Sequence, residues 1–168
     1  LGEFLRRPCS RGLKRLELSE TELSPDARGA FARMGPKLAA LDLSHTPLAA
    51  FCLEPILASP GLSELKDLTI DGCGSAANVI PAVSGSPYRR QASALRIGGG
   101  TIPLRHIEPL FAAPGPPALR TLDLSANYLY DPGVAGLCDA TWSGSLTWLG
   151  VGGSYLTDAA AERFARSG

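Results

Sequence analysis

Asp42, Ser44 and His45 stand within four residues of one another, and a carboxylate, a hydroxyl and an imidazole are the parts of a hydrolytic relay. A relay needs the hydroxyl bonded to the imidazole and the imidazole to the carboxylate. On an extended strand Asp42 and Ser44 share a face while His45 points elsewhere, so adjacency alone does not assemble one. Gly98, Gly99 and Gly100 follow a strand-like run as a phosphate loop would, but no G-K-[ST] comes after them and they read as a turn. The four cysteines, Cys9, Cys52, Cys73 and Cys138, show no C-x-x-C spacing. Zinc is therefore not expected. Free buried thiols are the default, Cys52 and Cys138 on inward faces and Cys73 in a turn, and they suit a reducing, cytoplasmic compartment. These residues give no catalytic, cofactor-binding or metal-ligating set, and no enzyme is expected.

What positions these side chains is a repeated frame, clearest in LRTLDLSANYLYDPGVAGL, residues 119–137. Leu122 and Leu124 alternate into a core from a strand. Asn127 suits a turn, because its amide can bond backbone groups the turn leaves free. Leu129 returns to the core, Asp131 and Pro132 read as helix N-cap and first helical residue, and Val134 and Leu137 form an apolar helix face. A strand, a turn and a short helix cannot bury their own apolar faces, so copies must stack. Leu16, Leu41, Leu68, Leu95, Leu122 and Leu149 mark six copies, spaced 25 and then 27 residues apart. Two residues on stand Leu18, Leu43, Ile70, Ile97, Leu124 and Val151; three residues before stand Leu13, Leu38, Leu65, Ala92, Leu119 and Leu146.

Six such copies resemble the leucine-rich repeat family, in its ribonuclease-inhibitor-like class with repeats of about 28 residues. The resemblance covers nearly the whole chain. The fold expected is α/β: one domain over residues 1–168, a right-handed solenoid with a parallel concave sheet of six strands and short helices or 3-10 turns on the convex side. Residues 1–12 read as the tail of a preceding repeat, because Pro8 stands five residues before Leu13 as Pro60, Pro87 and Pro114 do before their strands. The chain is thus expected to be part of a longer solenoid, with flanking repeats or domains as further partners.

Within this frame Ser24 and Pro25 read as N-cap and first helical residue, Phe31 and Met34 as an inward face, and Leu23, Leu48 and Leu156 as turn-closing core residues. Thr157 is the N-cap expected in the last repeat and Phe164 its inward residue. Pro55, Pro81 and Pro109 fall in the convex segments and predict short or broken helices, with the segment around Pro81 and Gly85 poorly helical. Where the family carries an asparagine ladder this chain has Thr21, Thr46, Cys73, Gly100, Asn127 and Ser154. Gly100 brings no side chain to that turn. His106 is expected as a polar residue of the convex surface.

Residues flanking the inward aliphatics must face solvent on the concave side. They form three columns. The first is Arg15, Ala40, Asp67, Ala94, Thr121 and Trp148; the second is Glu17, Asp42, Thr69, Arg96, Asp123 and Gly150; the third is Ser19, Ser44, Asp71, Gly98, Ser125 and Gly152. Glu17, Asp42, Asp67, Asp71 and Asp123 outnumber Arg15 and Arg96, so this face is acidic although the chain carries zero net charge. Trp148, a large aromatic on an exposed strand face, is of the type found at binding hot spots.

Zero net charge predicts neither a nucleic-acid nor a membrane-surface partner, and no apolar run approaches the roughly 18 residues of a membrane span. The function expected is a non-catalytic scaffold that binds another protein, one with a basic surface, on the concave face, with Glu17, Asp42, Asp67, Asp71, Arg96, Asp123 and Trp148 as binding residues. The resemblance also implies an alternative, a regulatory module of a small-GTPase activator or of a ligand sensor.

Overall fold

Every strand is three residues long, because each repeat turns as soon as its pair of aliphatics has been placed. The computed structural model describes residues 12–23, 29–31, 33, 37–47, 53–73, 76–112 and 114–167. The strands are β1 (Arg15–Glu17), β2 (Ala40–Asp42), β3 (Asp67–Thr69), β4 (Ala94–Arg96), β5 (Thr121–Asp123) and β6 (Trp148–Gly150). They form one six-stranded sheet in chain order, with every pairing parallel. Register follows the leucines: Leu16 pairs with Leu41, Leu41 with Leu68, and so on to Leu149. A parallel sheet built in chain order, with helices that pack on one another in the same order, is a stacked α/β repeat.

Burial follows position in the stack. Leu41, Leu68, Leu95 and Leu122 are buried, while the end members are Leu16 at 9 % exposure and Leu149, which is only partly covered. Each fully buried leucine stabilises the fold by about 1.5–3 kcal/mol relative to an exposed one. The rows on either side behave alike: Leu38, Leu65, Ala92 and Leu119 are buried, as are Leu43, Ile70, Ile97 and Leu124. Leu13, Leu18, Leu146 and Val151, in the first and last repeats, are partly buried against the same core. Phe31, Leu129, Val134 and Leu137 are inward as expected, and Leu23, Leu156 and Phe164 pack against that core.

Beyond each strand the chain turns through a left-handed residue. Glu20, His45, Gly72, Gly99, Ala126 and Gly153 all have φ between 53° and 66°. Each stands four residues after its row leucine, and in the first five the N–H extends the ladder into the next repeat, as from Gly99 to the Ser125 carbonyl at 2.9 Å. Glycine adopts this conformation without the steric cost that Glu20, His45 and Ala126 bear.

Next in the turn comes the position of Thr21, Thr46, Cys73, Gly100, Asn127 and Ser154, and four of these side chains join the repeats. Thr46 Oγ1 donates to the Leu18 carbonyl at 2.8 Å, Cys73 Sγ to Leu43 at 2.9 Å, Asn127 Nδ2 to Ile97 at 2.7 Å and Ser154 Oγ to Leu124 at 3.2 Å. Gly100 has no donor for the Ile70 carbonyl. Burial pushes the Cys73 thiol up to about 11, so it stays protonated and able to donate.

The helix side is more regular than the prolines predict. Among the described residues the helices with both ends described are α1 (Leu53–Leu57), α2 (Ala76–Gly85), α3 (Leu104–Ala112), α4 (Tyr130–Asp139) and α5 (Asp158–Arg166), each packed on the next. Only α1, with Pro55, is as short as expected. The segment expected to be poorly helical is α2, ten residues with Pro81 inside, and α3 runs unbroken through Pro109. Both prolines lie on the solvent side, where water can satisfy the carbonyl each leaves without a donor. Short 3-10 turns do occur, but ahead of the strands: Pro60–Leu62, Pro87–Arg90 and Ser143–Ser145, the first two opening on the recurrent proline.

A second correction concerns Asp131, which is not a cap. The helix α4 spans Tyr130–Asp139, opening on Tyr130 at φ 52°, and Asp131 lies in its first turn. Its carboxylate instead accepts from Thr157 N at 2.9 Å and Thr157 Oγ1 at 2.6 Å, in the next repeat. Thr157 caps α5 as expected, accepting from Ala159 N at 3.3 Å. Ser24, Pro25, Met34, Leu48, Cys9, Cys52 and residues 1–11 of the expected N-terminal tail lie outside the described residues. Among the described residues no helix is long and apolar enough to cross a membrane.

Candidate functional site

The open face of the sheet carries the predicted columns in register. Arg15, Ala40, Asp67, Ala94, Thr121 and Trp148 are successive partners across the six strands, and so are Glu17, Asp42, Thr69, Arg96, Asp123 and Gly150. The third column follows through the backbone bonds between Ser44, Asp71, Gly98, Ser125, Gly152 and the left-handed residues beside them. All seven predicted binding residues therefore occupy one face.

Their carboxylates are partly engaged. Asp42 Oδ1 accepts from Ser44 N at 2.8 Å and Ser44 Oγ at 2.6 Å, and Asp123 Oδ1 accepts from Ser125 N at 2.9 Å. These three bonds brace the turn after the strand, and all of them use Oδ1 of the carboxylate. Asp67 accepts from Ser93 Oγ at 2.8 Å, and Asp71 accepts from the Gly98 amide of the next repeat. Glu17 pairs with Arg15 at 2.7 Å at the β1 end, where both are well exposed. Asp71 is the perturbed member: burial, with Asp123 and Asp42 nearby, holds its carboxyl above the usual carboxylate range. The Gly98 amide and Arg96 oppose that shift.

At the β6 end, Trp148 is 48 % exposed. Its ring folds back over Gly150, so that a Cβ on Gly150 would stand 2.7 Å from Trp148 Cη2 and 2.5 Å from Asp123 Oδ1. Only glycine leaves that space, and it sets an indole and a carboxylate side by side on an open surface. The other side of Trp148 borders a cleft of about 320 Å³ lined by Leu137, Leu146, Leu149 and Phe164, beside β6, the edge strand of the sheet among the described residues.

The hydrolytic trio is not assembled. The Ser44 hydroxyl donates to Asp42, whereas His45, with φ of 53°, lies against Gly72 of the next repeat. Among the described residues no group of three or more His, Cys, Asp or Glu side chains is placed to hold a metal ion. Cys138 is half-buried on α4, and Gly98, Gly99 and Gly100 form the expected turn.

Sequence reading missed an aromatic cluster beside this face. Tyr128, Tyr130 and Tyr155 contact one another, with ring centroids 6.2, 5.3 and 5.6 Å apart. The signal was available, since Tyr155 follows Tyr128 by one repeat of 27 residues. No protein-family model matches this chain, and no curated protein matches it either.

Proposed function

We propose that this chain is a right-handed leucine-rich-repeat solenoid of the ribonuclease-inhibitor-like class, and that it binds another protein on its concave sheet face without catalysing a reaction. The observation that carries this reading is the pairing of exposed Trp148 with Asp123 over Gly150. An indole supplies the apolar anchor of an interface, and a carboxylate beside it favours a cationic group on the partner. Asp42, Asp67 and Asp71 extend the negative field along the face, with Arg96 the base among them, and Glu17 lies at the far end beside Arg15. Such a field speeds the encounter with a basic surface and is weakened by salt.

The reading is tested by capturing binding proteins on the immobilised chain, identifying them and measuring their association kinetics. Trp148→Ala should leave the on-rate unchanged and speed dissociation, weakening binding by about 2 kcal/mol or more. Replacing Asp71 and Asp123 together by Asn should lower the on-rate and flatten its salt dependence. A bound protein indifferent to both changes would place its site on the helices or loops and end the concave assignment.

A further inference from the structure

The tyrosine cluster lies where the chain leaves the sheet for the helix side, in the last two repeats. Tyr128 N donates to the Ile102 carbonyl and Tyr130 N to the Ser154 carbonyl, both at 3.0 Å, so the rings stand on backbone fixed to neighbouring repeats. Tyr130 is 46 % exposed and Tyr155 61 %; with Trp148 they are the exposed large hydrophobics among the described residues. All three belong to repeats five and six. The rings pack on one another, Tyr128 and Tyr130 only 14° from parallel, which leaves no cage between them but offers outward aromatic faces.

Carboxylates lie in the same place. Residues 121–162 include Asp123, Asp131, Asp139, Asp158 and Glu162 and no lysine, arginine or histidine. Arg163 pairs with Asp139 and Arg166 with Glu162, away from the rings, which leaves Asp131, next to Tyr130 and bonded to Thr157, and Asp158 as the carboxylates of the tyrosine end. Asp131, two residues from the Leu129 that precedes Tyr130, keeps its carboxyl below the usual range through the bonds from Thr157 and stays charged. An aromatic platform with the Asp131 carboxylate beside it fits a flat cation. A guanidinium stacks on a phenol ring while its edge still donates to carboxylates or water, which a compact ammonium does less well.

We propose that Tyr128, Tyr130 and Tyr155 form a docking surface for an arginine-bearing segment of another protein, separate from the Trp148–Asp123 pair. It rests on the concave reading in one respect only, the positive charge of the partner.

The test titrates the whole chain with a synthetic peptide of Arg-Gly-Ser repeats, and with matched peptides carrying citrulline or lysine in place of arginine. Calorimetry gives the affinity and proton NMR the tyrosine ring shifts. The arginine peptide should bind and move the tyrosine resonances, the lysine peptide should bind more weakly, and the citrulline peptide should not bind. Tyr155→Ala and Tyr130→Ala should each weaken binding roughly two- to five-fold, as expected for one exposed cation–π contact. Tyr155→Leu, which keeps apolar bulk and removes the aromatic face, should weaken it similarly, and circular dichroism checks that the variants fold. Equal binding of the citrulline peptide, unmoved tyrosine resonances, or full affinity in the tyrosine variants would overturn the proposal. If affinity falls only in Trp148→Ala and Asp123→Asn, the concave reading stands and the tyrosine surface does not.

Discussion

The side-chain amide of Asn127 donates to the carbonyl of Ile97 at 2.7 Å, joining the fifth repeat to the fourth. The same nitrogen donates to the Leu124 carbonyl at 3.0 Å, and Oδ1 accepts from Ile102 N at 2.9 Å. Asn127 is fully buried, so no water replaces these bonds. Asn127→Ala should cost about 2–4 kcal/mol, because it strands the buried Ile102 N–H and takes the amide donor from the Ile97 carbonyl. Ser154→Ala, which removes one long bond of 3.2 Å, should cost about 1 kcal/mol. Urea unfolding of the two variants measures the difference, and equal losses would remove Asn127 from its central place in the turns.

The core row should show a gradient. Leu122 is fully buried between neighbours, whereas Leu149 borders the open cleft at the end of the stack. Leu122→Ala is expected to lose about 2–5 kcal/mol, the range for truncating a buried leucine. Leu149→Ala should lose less, because its side chain already lacks partners on one side. Denaturant midpoints for both proteins decide this, and a larger loss at Leu149 would contradict the packing described.

Asp71 predicts a pH effect of definite sign. Its folded-state pKa lies above the ordinary 3.8, through burial first and then through Asp123 and Asp42. A raised carboxyl favours the fold when protonated; that contribution is full below 3.8 and is lost as pH rises through the folded value. Asp71→Asn keeps an oxygen for the Gly98 amide and removes the charge. The variant should therefore be more stable than the parent at neutral pH, with the difference shrinking as the medium is acidified. Stability curves from below the ordinary value to neutrality test it, and a variant less stable at neutral pH would reverse the argument.

Ala126 sits at φ 55° in the turn position where Gly72, Gly99 and Gly153 stand in other repeats. Ala126→Gly relieves left-handed strain of about 1–2 kcal/mol and adds about 0.5–1 kcal/mol of unfolded-chain entropy. A net gain of roughly 0.5–1 kcal/mol should appear as a higher melting temperature. Gly99→Ala, which has room for a Cβ but not the favourable φ, should shift it the other way.

The strand rows were legible in the sequence because each repeat must bury the same two positions, and Leu16 to Leu149 repeat them at near-constant spacing. Period-two alternation then dictated which residues share the open face, and Trp148, Asp42, Asp71 and Asp123 are on it. Local propensity failed where solvent geometry decides. Pro81 and Pro109 each remove one helix hydrogen bond, a loss that water offsets on an exposed side, and which side of α2 and α3 faces water depends on how the helices stack. Asp131 had the composition of a cap, yet whether it capped its own helix or reached Thr157 was set by the distance between neighbouring repeats. The closeness of Trp148 and Asp123 over Gly150, and the meeting of Tyr155 with Tyr128 and Tyr130, were likewise decided by the stack, because side chains 25 or more residues apart touch only when register and turn angle bring their repeats together.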